Sequence, residues 1–337
     1  MPDLSASYMG LALRNPIIVG ASALTASADS IRRLEEAGAG AVVTKSLFEE
    51  QIQLEHFKFD EDLEKDNCRN PEMITVHPNL QFAGPREHLL WVEEAKKAVR
   101  IPVIASLNAV NRETWIEYAQ RLRDTGVDAL ECNLFASPKD PRQTGAAIEE
   151  EQVDLLWRIK QAVQIPLGVK LSPFYTNSSN VVHRMAEAGA NGFVLFNRLF
   201  EPDIEIQGEK LICPFNLSHG TDYRLSLRYA GLLDGEIAPD ICANSGIFGG
   251  EQAVKMILAG ASAVQVVSTL LLHGPRHLAT MLREMETWMT SKGYARILDF
   301  RGKLSRRHCS DPWAYTRAQY ARLLMRPDEI TRNFPTL

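Results

Sequence analysis

The chain has 337 residues, 45% of them hydrophobic, which is enough for one large α/β domain or two ordinary ones. Its 42 acidic and 37 basic residues give a formal net charge of -5 with no long basic run, so neither nucleic acid nor an anionic membrane is an expected partner and a small-molecule substrate is. Five scattered cysteines, without a CxxC pair, exclude a disulfide framework and signal no zinc or iron–sulfur site, and no metal is expected.

In chain order, eight β-rich apolar segments stand out: 16–21, 40–45, 102–107, 128–134, 166–171, 191–197, 239–244 and 262–267. Helix-like stretches with apolar residues three and four apart alternate with them, at 27–38, 86–99, 111–124, 148–163, 178–189, 222–234, 250–259 and 275–291. Several of these stop at an Ala-Gly pair, as at Ala37-Gly38, Ala188-Gly189 and Ala259-Gly260, where glycine can close a helix. Strands apolar on both faces, each followed by a helix, predict a closed parallel (β/α)8 TIM barrel rather than an open sheet. The barrel is expected over 1–305, with 306–337 as a C-terminal extension packing on it or on the partner in a homodimer. Connections 46–85 and 198–221 are too long for plain turns, and 46–85 and 135–147 are expected to cover the site. No apolar run reaches the ~18 residues of a membrane span, which fits a soluble, cytoplasmic protein.

In such a barrel, function collects where strands end. The predicted strands end in Ala21-Ser22, Thr44-Lys45-Ser46, Ser106 and Asn108, Asn133, Lys170, Asn197, Asn244-Ser245-Gly246 and Ser268-Thr269. Two lysines, several asparagines and hydroxyls converge, with Glu131 as the exception among them; alternation puts Glu131 and Asn133 on one face and Cys132 on the other. This set suits a planar heterocycle carrying a phosphate and does not suit a divalent cation, which wants clustered carboxylates. The last two strands run into Gly246-Ile247-Phe248-Gly249-Gly250 and Ser268-Thr269, small residues at helix starts whose N–H groups suit a phosphate. Lys45 or Lys170 on an apolar strand also fits a Schiff-base lysine of an aldolase or lyase.

The chain resembles the FMN-dependent dihydroorotate dehydrogenase family, especially its cytosolic branch, over about residues 8–305. The resemblance is carried by Asn15-Pro16 with Gly20-Ala21-Ser22, Thr44-Lys45-Ser46, Glu131-Cys132-Asn133-Leu134 and Gly168-Val169-Lys170-Leu171-Ser172-Pro173. It continues in Phe196-Asn197, Ser245-Gly246-Ile247 with Gly249, Ser268-Thr269, Lys292-Gly293-Tyr294 and Asp299-Phe300-Arg301-Gly302-Lys303-Leu304. It implies oxidation of dihydroorotate, or a related small cyclic substrate, to orotate by hydride transfer to flavin N5, a step of pyrimidine biosynthesis. It also implies FMN contacts from Ala21, Ser22, Lys45, Asn133, Lys170, Asn197, Gly246, Gly249, Gly250, Ser268 and Thr269. Lys170 would face the flavin pyrimidine edge, and Lys45 and Asn133 would also touch substrate.

Three departures stand beside it. The family's Asn-x-Ser-(Cys or Ser)-Pro-Asn run, which carries the base, reads Asn133-Leu134-Phe135-Ala136-Ser137-Pro138-Lys139. Ungapped, the base position is Ala136; one inserted residue restores Ser137-Pro138 and makes Ser137 the expected proton acceptor. Ile74-Thr75-Val76-His77-Pro78-Asn79 takes roughly the place of the family's substrate loop, and Arg198 follows Asn197 where serine is common. A flavoprotein that has lost dihydroorotate activity and serves within a complex is therefore a further alternative. His77 and His219 in the long loops are candidate proton donors, and no cysteine cluster is present to hold an intrinsic iron–sulfur centre, which leaves room for an electron-acceptor partner protein.

Overall fold

The computed structural model describes residues 1–53, 85–135, 140–198, 202–214, 216–316, 321 and 324–325. The chain starts with an antiparallel hairpin, β1 (Ala6–Tyr8) and β2 (Leu11–Leu13), and then enters a ring of parallel strands. The ring comprises β3 (Ile17–Val19), β4 (Ala41–Val43), β6 (Val103–Asn108), β7 (Ala129–Leu134), β8 (Leu167–Leu171), β9 (Gly192–Leu195), β12 (Asp240–Asn244) and β13 (Ala263–Val266). It closes because β13 pairs with β3, Val264 opposite Ile17, and β4 pairs with β6, Val42 opposite Val103. Two-residue β5 (Leu47–Phe48) adds to β6, and the 198–221 connection carries a hairpin of β10 (Asp203–Glu205) and β11 (Lys210–Ile212). The molecule is thus a (β/α)8 barrel, the expected fold.

Burial on both faces is what demands closure. Ile17, Val19, Val42, Val103, Leu130 and Val169 point outward into the layer beneath the helices, whereas Ile18, Ala41, Val43, Ile104, Ala129, Val194, Cys242 and Ala263 form a second, inner cluster. The covering helices are Ala28–Glu36, Pro85–Ala98, Arg112–Asp124, Gly145–Ala162, Ser178–Glu187, Tyr223–Leu233, Gly250–Ala259 and His277–Lys292, with a short extra one at Ser268–His273. The fourth begins three residues before the position its apolar period suggests, because Thr144 accepts the Ala147 N–H (3.2 Å) and caps it. Three helices end alike: Ala39, Ala190 and Ala261 N–H groups reach back to Leu34, Met185 and Met256 carbonyls at 3.0, 3.1 and 3.0 Å, across Gly38, Gly189 and Gly260 at positive φ.

The hairpin plugs the barrel floor. Its turn sends Tyr8 and Met9 inward; a Cβ on Gly192 would lie 2.6 Å from Met9 and 2.9 Å from the Tyr8 ring, and one on Gly168 would lie 2.9 Å from Met9 Sδ. Met9 N–H donates to Asp240 Oδ2 at 2.9 Å, locking the plug to β12. With the N-terminal end filled, the C-terminal end is the one left for a ligand among the described residues. Beyond the barrel, Arg306 N–H donates to Gly231 O at 2.9 Å, and the Tyr315 ring lies where a Gly231 side chain would be. Among the described residues no helix is long and apolar enough to cross a membrane.

Candidate functional site

A cavity of about 150 Å³ opens at the C-terminal ends of the strands, lined by Ala21, Lys170, Asn197, Gly246, Gln265 and Ser268 among others. A larger hollow of about 610 Å³ lies outside the barrel by Arg33, Glu36 and Arg276. Among the described residues none of the buried unpaired polar atoms belongs to its walls, whereas Gln265, which lines the cavity at the strand ends, carries one.

The cavity floor is charged. Asn133 on β7 stands in register with Lys170 on β8, and Glu131, two residues earlier, shares the inward face with Asn133. Glu131 is 1% exposed; Lys170 Nζ is 4.0 Å from its Oε1, and Gln265 Nε2 donates to its Oε2. Burial pushes the Glu131 carboxyl up, while Lys170 and the Gln265 hydrogen bond pull it down. Below it, the buried Tyr8 hydroxyl is pushed well up by desolvation and by the Cys242, Glu131 and Asp240 charges. Glu131 Oε1, Asn133 Oδ1 and Gln265 Oε1 have no hydrogen-bond partner among the described residues. Cys132 faces the outer layer as alternation predicts, and burial followed by the Glu131 charge pushes its thiol up, away from the reactive thiolate.

The wall is built by β12 and β13. Ser245 and Gly246, at φ 72° and 68°, turn the chain sharply after Asn244, and a Cβ on Gly246 would sit 2.4 Å from Tyr223 N. Only glycine fits there. Ser268 Oγ accepts from Ser218 N–H and bonds its hydroxyl at 3.0 and 2.8 Å, holding the 216–222 segment against the cavity. Arg198 clamps the same segment: it donates to Asn216 O at 2.9 Å and pairs with Asp222 at 2.6 Å. His219 N–H also donates to Asp222, at 2.8 Å. The Ser268 and Thr269 amides open a helix and have no carbonyl within it to reach; the Thr269 hydroxyl is turned to Phe248 O (3.0 Å). Ser22 caps the short 3₁₀ turn Ala23–Thr25, accepting from Leu24 N–H at 3.3 Å.

Gly249 and Gly250 depart from the sequence expectation. Their amides are already committed, Gly250 N–H to Glu284 Oε2 at 2.6 Å and Gly249 N–H to Gln252 Oε1 at 2.9 Å, and neither residue lines the cavity. A carboxylate from the neighbouring helix occupies the helix start that the glycine run suggested for a phosphate. Sequence reading could not foresee this, since Glu284 is 34 residues away.

Across the barrel, Lys45 is half-buried at the end of β4, and desolvation lowers its pKa. Thr44 Oγ1 accepts Ser106 N–H at 3.1 Å and the Ser46 and Ser106 hydroxyls meet at 2.7 Å, fixing the β4 and β6 ends together. Buried Glu49 accepts Asn111 N–H at 2.7 Å and so ties the start of the long connection to the loop after β6. Ser137, Ala136, His77 and the Ile74–Asn79 run lie outside the described residues, as do 54–84 of the expected cover. Gln265 escaped the sequence reading, although a polar residue between Val264 and Val266 on an apolar strand was the available signal.

The family model for dihydroorotate dehydrogenase matches residues 84–289. The chain belongs to the dihydroorotate dehydrogenase family. Its chemistry is accordingly that of an oxidoreductase acting on a CH–CH group. Among curated relatives, the dihydroorotate dehydrogenase B (NAD(+)) catalytic subunit of Thermoplasma volcanium is 28% identical over 323 residues, covering 90% of this chain and 98% of that protein. A putative dihydroorotate dehydrogenase A (fumarate) of Aeropyrum pernix is 26% identical over 89% of this chain and 97% of its own length. The chloroplastic dihydropyrimidine dehydrogenase (NADP(+)) of Arabidopsis thaliana is 23% identical, covering 89% of this chain and 76% of that protein.

Proposed function

We propose that this dihydroorotate dehydrogenase family member is an FMN-dependent enzyme that oxidises dihydroorotate, or a related cyclic substrate, at its CH–CH bond. The observation that carries this is the cavity at the strand ends, where Lys170 stands with Asn197, Asn244 and Ser268, a set of ammonium, amide and hydroxyl groups that suits a heterocycle edge bearing carbonyls and an N–H. Family membership favours this reading over a Schiff-base lyase. Two further features fit a phosphate at the wall, the Gly246 turn where no side chain is tolerated and the helix-opening amides of Ser268 and Thr269. Bound FMN supplies the two-electron acceptor. Lys170 provides the fixed positive charge that favours the anionic reduced ring, and Ala21 and Asn197 complete the walls. Lys45, whose burial eases loss of its proton, and Asn133 orient the substrate, and Ser137 takes the substrate proton, relayed through water because a hydroxyl is a weak base.

Electrons leave to a second molecule. The Thermoplasma volcanium relative is named a catalytic subunit with NAD(+) and the Aeropyrum pernix one is named for fumarate, so a soluble acceptor or an electron-accepting partner subunit is the proposed outlet, from a homodimeric enzyme. The test is an anaerobic spectral titration of the purified yellow protein with dihydroorotate. Bleaching of the flavin band supports the proposal, and a colourless protein that cannot be reconstituted with FMN refutes it.

A further inference from the structure

A cofactor-sized ligand has most of its surface buried by its site, and the cavity of about 150 Å³ is small beside the roughly 300 Å³ at which such sites begin, so a wall has to move before the ligand enters or leaves. The strand ends cannot supply that movement. Lys170, Asn244 and Gln265 stand on β8, β12 and β13, each strand tied into the barrel by a ladder on both sides. Asn216, Leu217 and Ser218 also line the cavity, but they lie in the connection before the helix Tyr223–Leu233 and belong to no strand or helix. His219, Gly220 and Thr221, which follow, are exposed, so this segment has the cavity on one side and solvent on the other.

One guanidinium pins both ends of the segment. Arg198 Nε and Nη2 donate to the backbone and side-chain oxygens of Asn216 at 2.9 and 3.0 Å, while Nη1 donates to Asp222 Oδ2 at 2.6 Å. Between the pins the segment closes on itself, with His219 N–H donating to Asp222 Oδ2 at 2.8 Å and Asp222 N–H to His219 O at 3.0 Å. Its inner edge is fastened once more where Ser218 meets Ser268, at 3.0 Å through its N–H and 2.8 Å through its hydroxyl. Residues 216–221 contribute nothing to the hydrophobic core, and no atom lies within 4 Å of where a Gly220 side chain would be. A segment held by a few side-chain bonds, with no apolar anchor, opens at lower cost than the barrel around it.

We propose that residues 216–221 form a gate across the cavity through which the cofactor enters and leaves, and that Arg198 is a positioning residue that latches it shut. The inference rests on the FMN reading above and goes beyond it. Ser268 stands at the junction of the two: its hydroxyl bonds the gate, and its amide opens the helix proposed to meet the phosphate. Closing the gate and holding the phosphate thus share one residue.

The experiment follows FMN uptake by apo-protein with stopped-flow flavin fluorescence, and FMN release by exchange against isotopically labelled FMN, in wild type, Arg198→Met, Arg198→Lys and the double variant Ser218→Cys/Ser268→Cys. Arg198→Met drops all three bonds and should raise uptake and release together, each at least about tenfold, the worth of a charged hydrogen bond. The dissociation constant, their ratio, should move less than either rate. Arg198→Lys keeps a charge for Asp222 but loses the fork that spans both ends, and should lie between. The two serine hydroxyls meet at 2.8 Å, so cysteines there are placed to join. Oxidised, the double variant should exchange FMN at least about tenfold more slowly than the same protein reduced with dithiothreitol, and apo-protein oxidised first should exclude FMN until it is reduced. Faster release from Arg198→Met with uptake unchanged or slowed would make Arg198 part of a static wall and overturn the gate, as would equal exchange by the oxidised and reduced double variant. The cysteine comparison is made within one protein and decides if Arg198→Met fails to fold; Arg198→Met decides if the disulfide does not form. Either overturning result leaves the enzyme an FMN protein, whereas no binding of FMN by wild type would take down the function proposed above.

Discussion

In the proposed function Lys170 acts through its charge, and Glu131, 4.0 Å away, is the carboxylate that shares it. Replacing Lys170 by methionine keeps the packing and removes the cation that pulls the Glu131 carboxyl down, so that burial pushes this carboxyl up unopposed by the lysine. The flavin midpoint potential of Lys170→Met should fall by roughly 30 mV or more, equivalent to about 1.4 kcal/mol for two electrons, by equilibration with reference dyes. An unchanged potential with flavin still bound would place Lys170 away from the reduced ring. At the proposed proton acceptor, Ser137→Ala should abolish flavin reduction by dihydroorotate without altering the flavin spectrum, and Ala136→Cys should change little. The reverse, an inert Ser137→Ala with dihydroorotate oxidation gained in Ala136→Cys, would show that the ungapped alignment is right.

At the scale of elements, the two glycine sites after β12, Gly246 and the Gly249-Gly250 pair, separate cleanly. Gly246 sits at a left-handed turn against the Tyr223 backbone, on the cavity wall, so Gly246→Ala strains the wall itself. Gly249 faces Glu284 and Gln252. Equilibrium dialysis should show FMN lost from Gly246→Ala, whereas Gly249→Ala should lower the melting temperature with FMN affinity nearly kept. The helix Pro85–Ala98 carries a pH-sensitive group. His88 is 4% exposed, and burial, reinforced by the Lys45 charge, pushes its imidazole down to about 4. A group harder to protonate when folded makes the unfolded chain the better proton binder. Its stabilising effect is therefore full above the unfolded value near 6.5 and is lost as pH falls towards 4, by roughly 3 kcal/mol. Urea titrations should show this loss in wild type and a flatter profile in His88→Phe.

For the whole molecule, the barrel binds its ligand only when all eight strands are in register, so ligand and fold stabilise each other. Saturating FMN, at about 100 times its dissociation constant, should add about 2.7 kcal/mol to the unfolding free energy and raise the melting temperature in proportion. The segment after the barrel is a buttress to the helix Tyr223–Leu233: Tyr315 fills the space at Gly231 and bonds Leu304 O. Ending the chain at residue 305 should lower the melting temperature while leaving the yellow colour.

Much of this protein could be read from its residues, for a physical reason. Strands apolar on both faces and helices apolar on one are period effects, present in the sequence because burial selects them locally, and they specify the barrel with its eight strands and the strand ends where Lys170, Asn133 and Gly246 stand. Alternation likewise fixed that Glu131 faces inward and Cys132 outward. Tertiary structure alone decided which groups meet. Glu284, distant in the chain, takes the amide of Gly250 and removes the helix start from the cavity; Tyr8 and Met9 of the first hairpin plug the floor through gaps left by Gly168 and Gly192; and Gln265 meets Glu131 across 134 residues. Hydrogen-bond partners and space are properties of proximity, and a closed barrel creates proximity between residues that no local pattern connects.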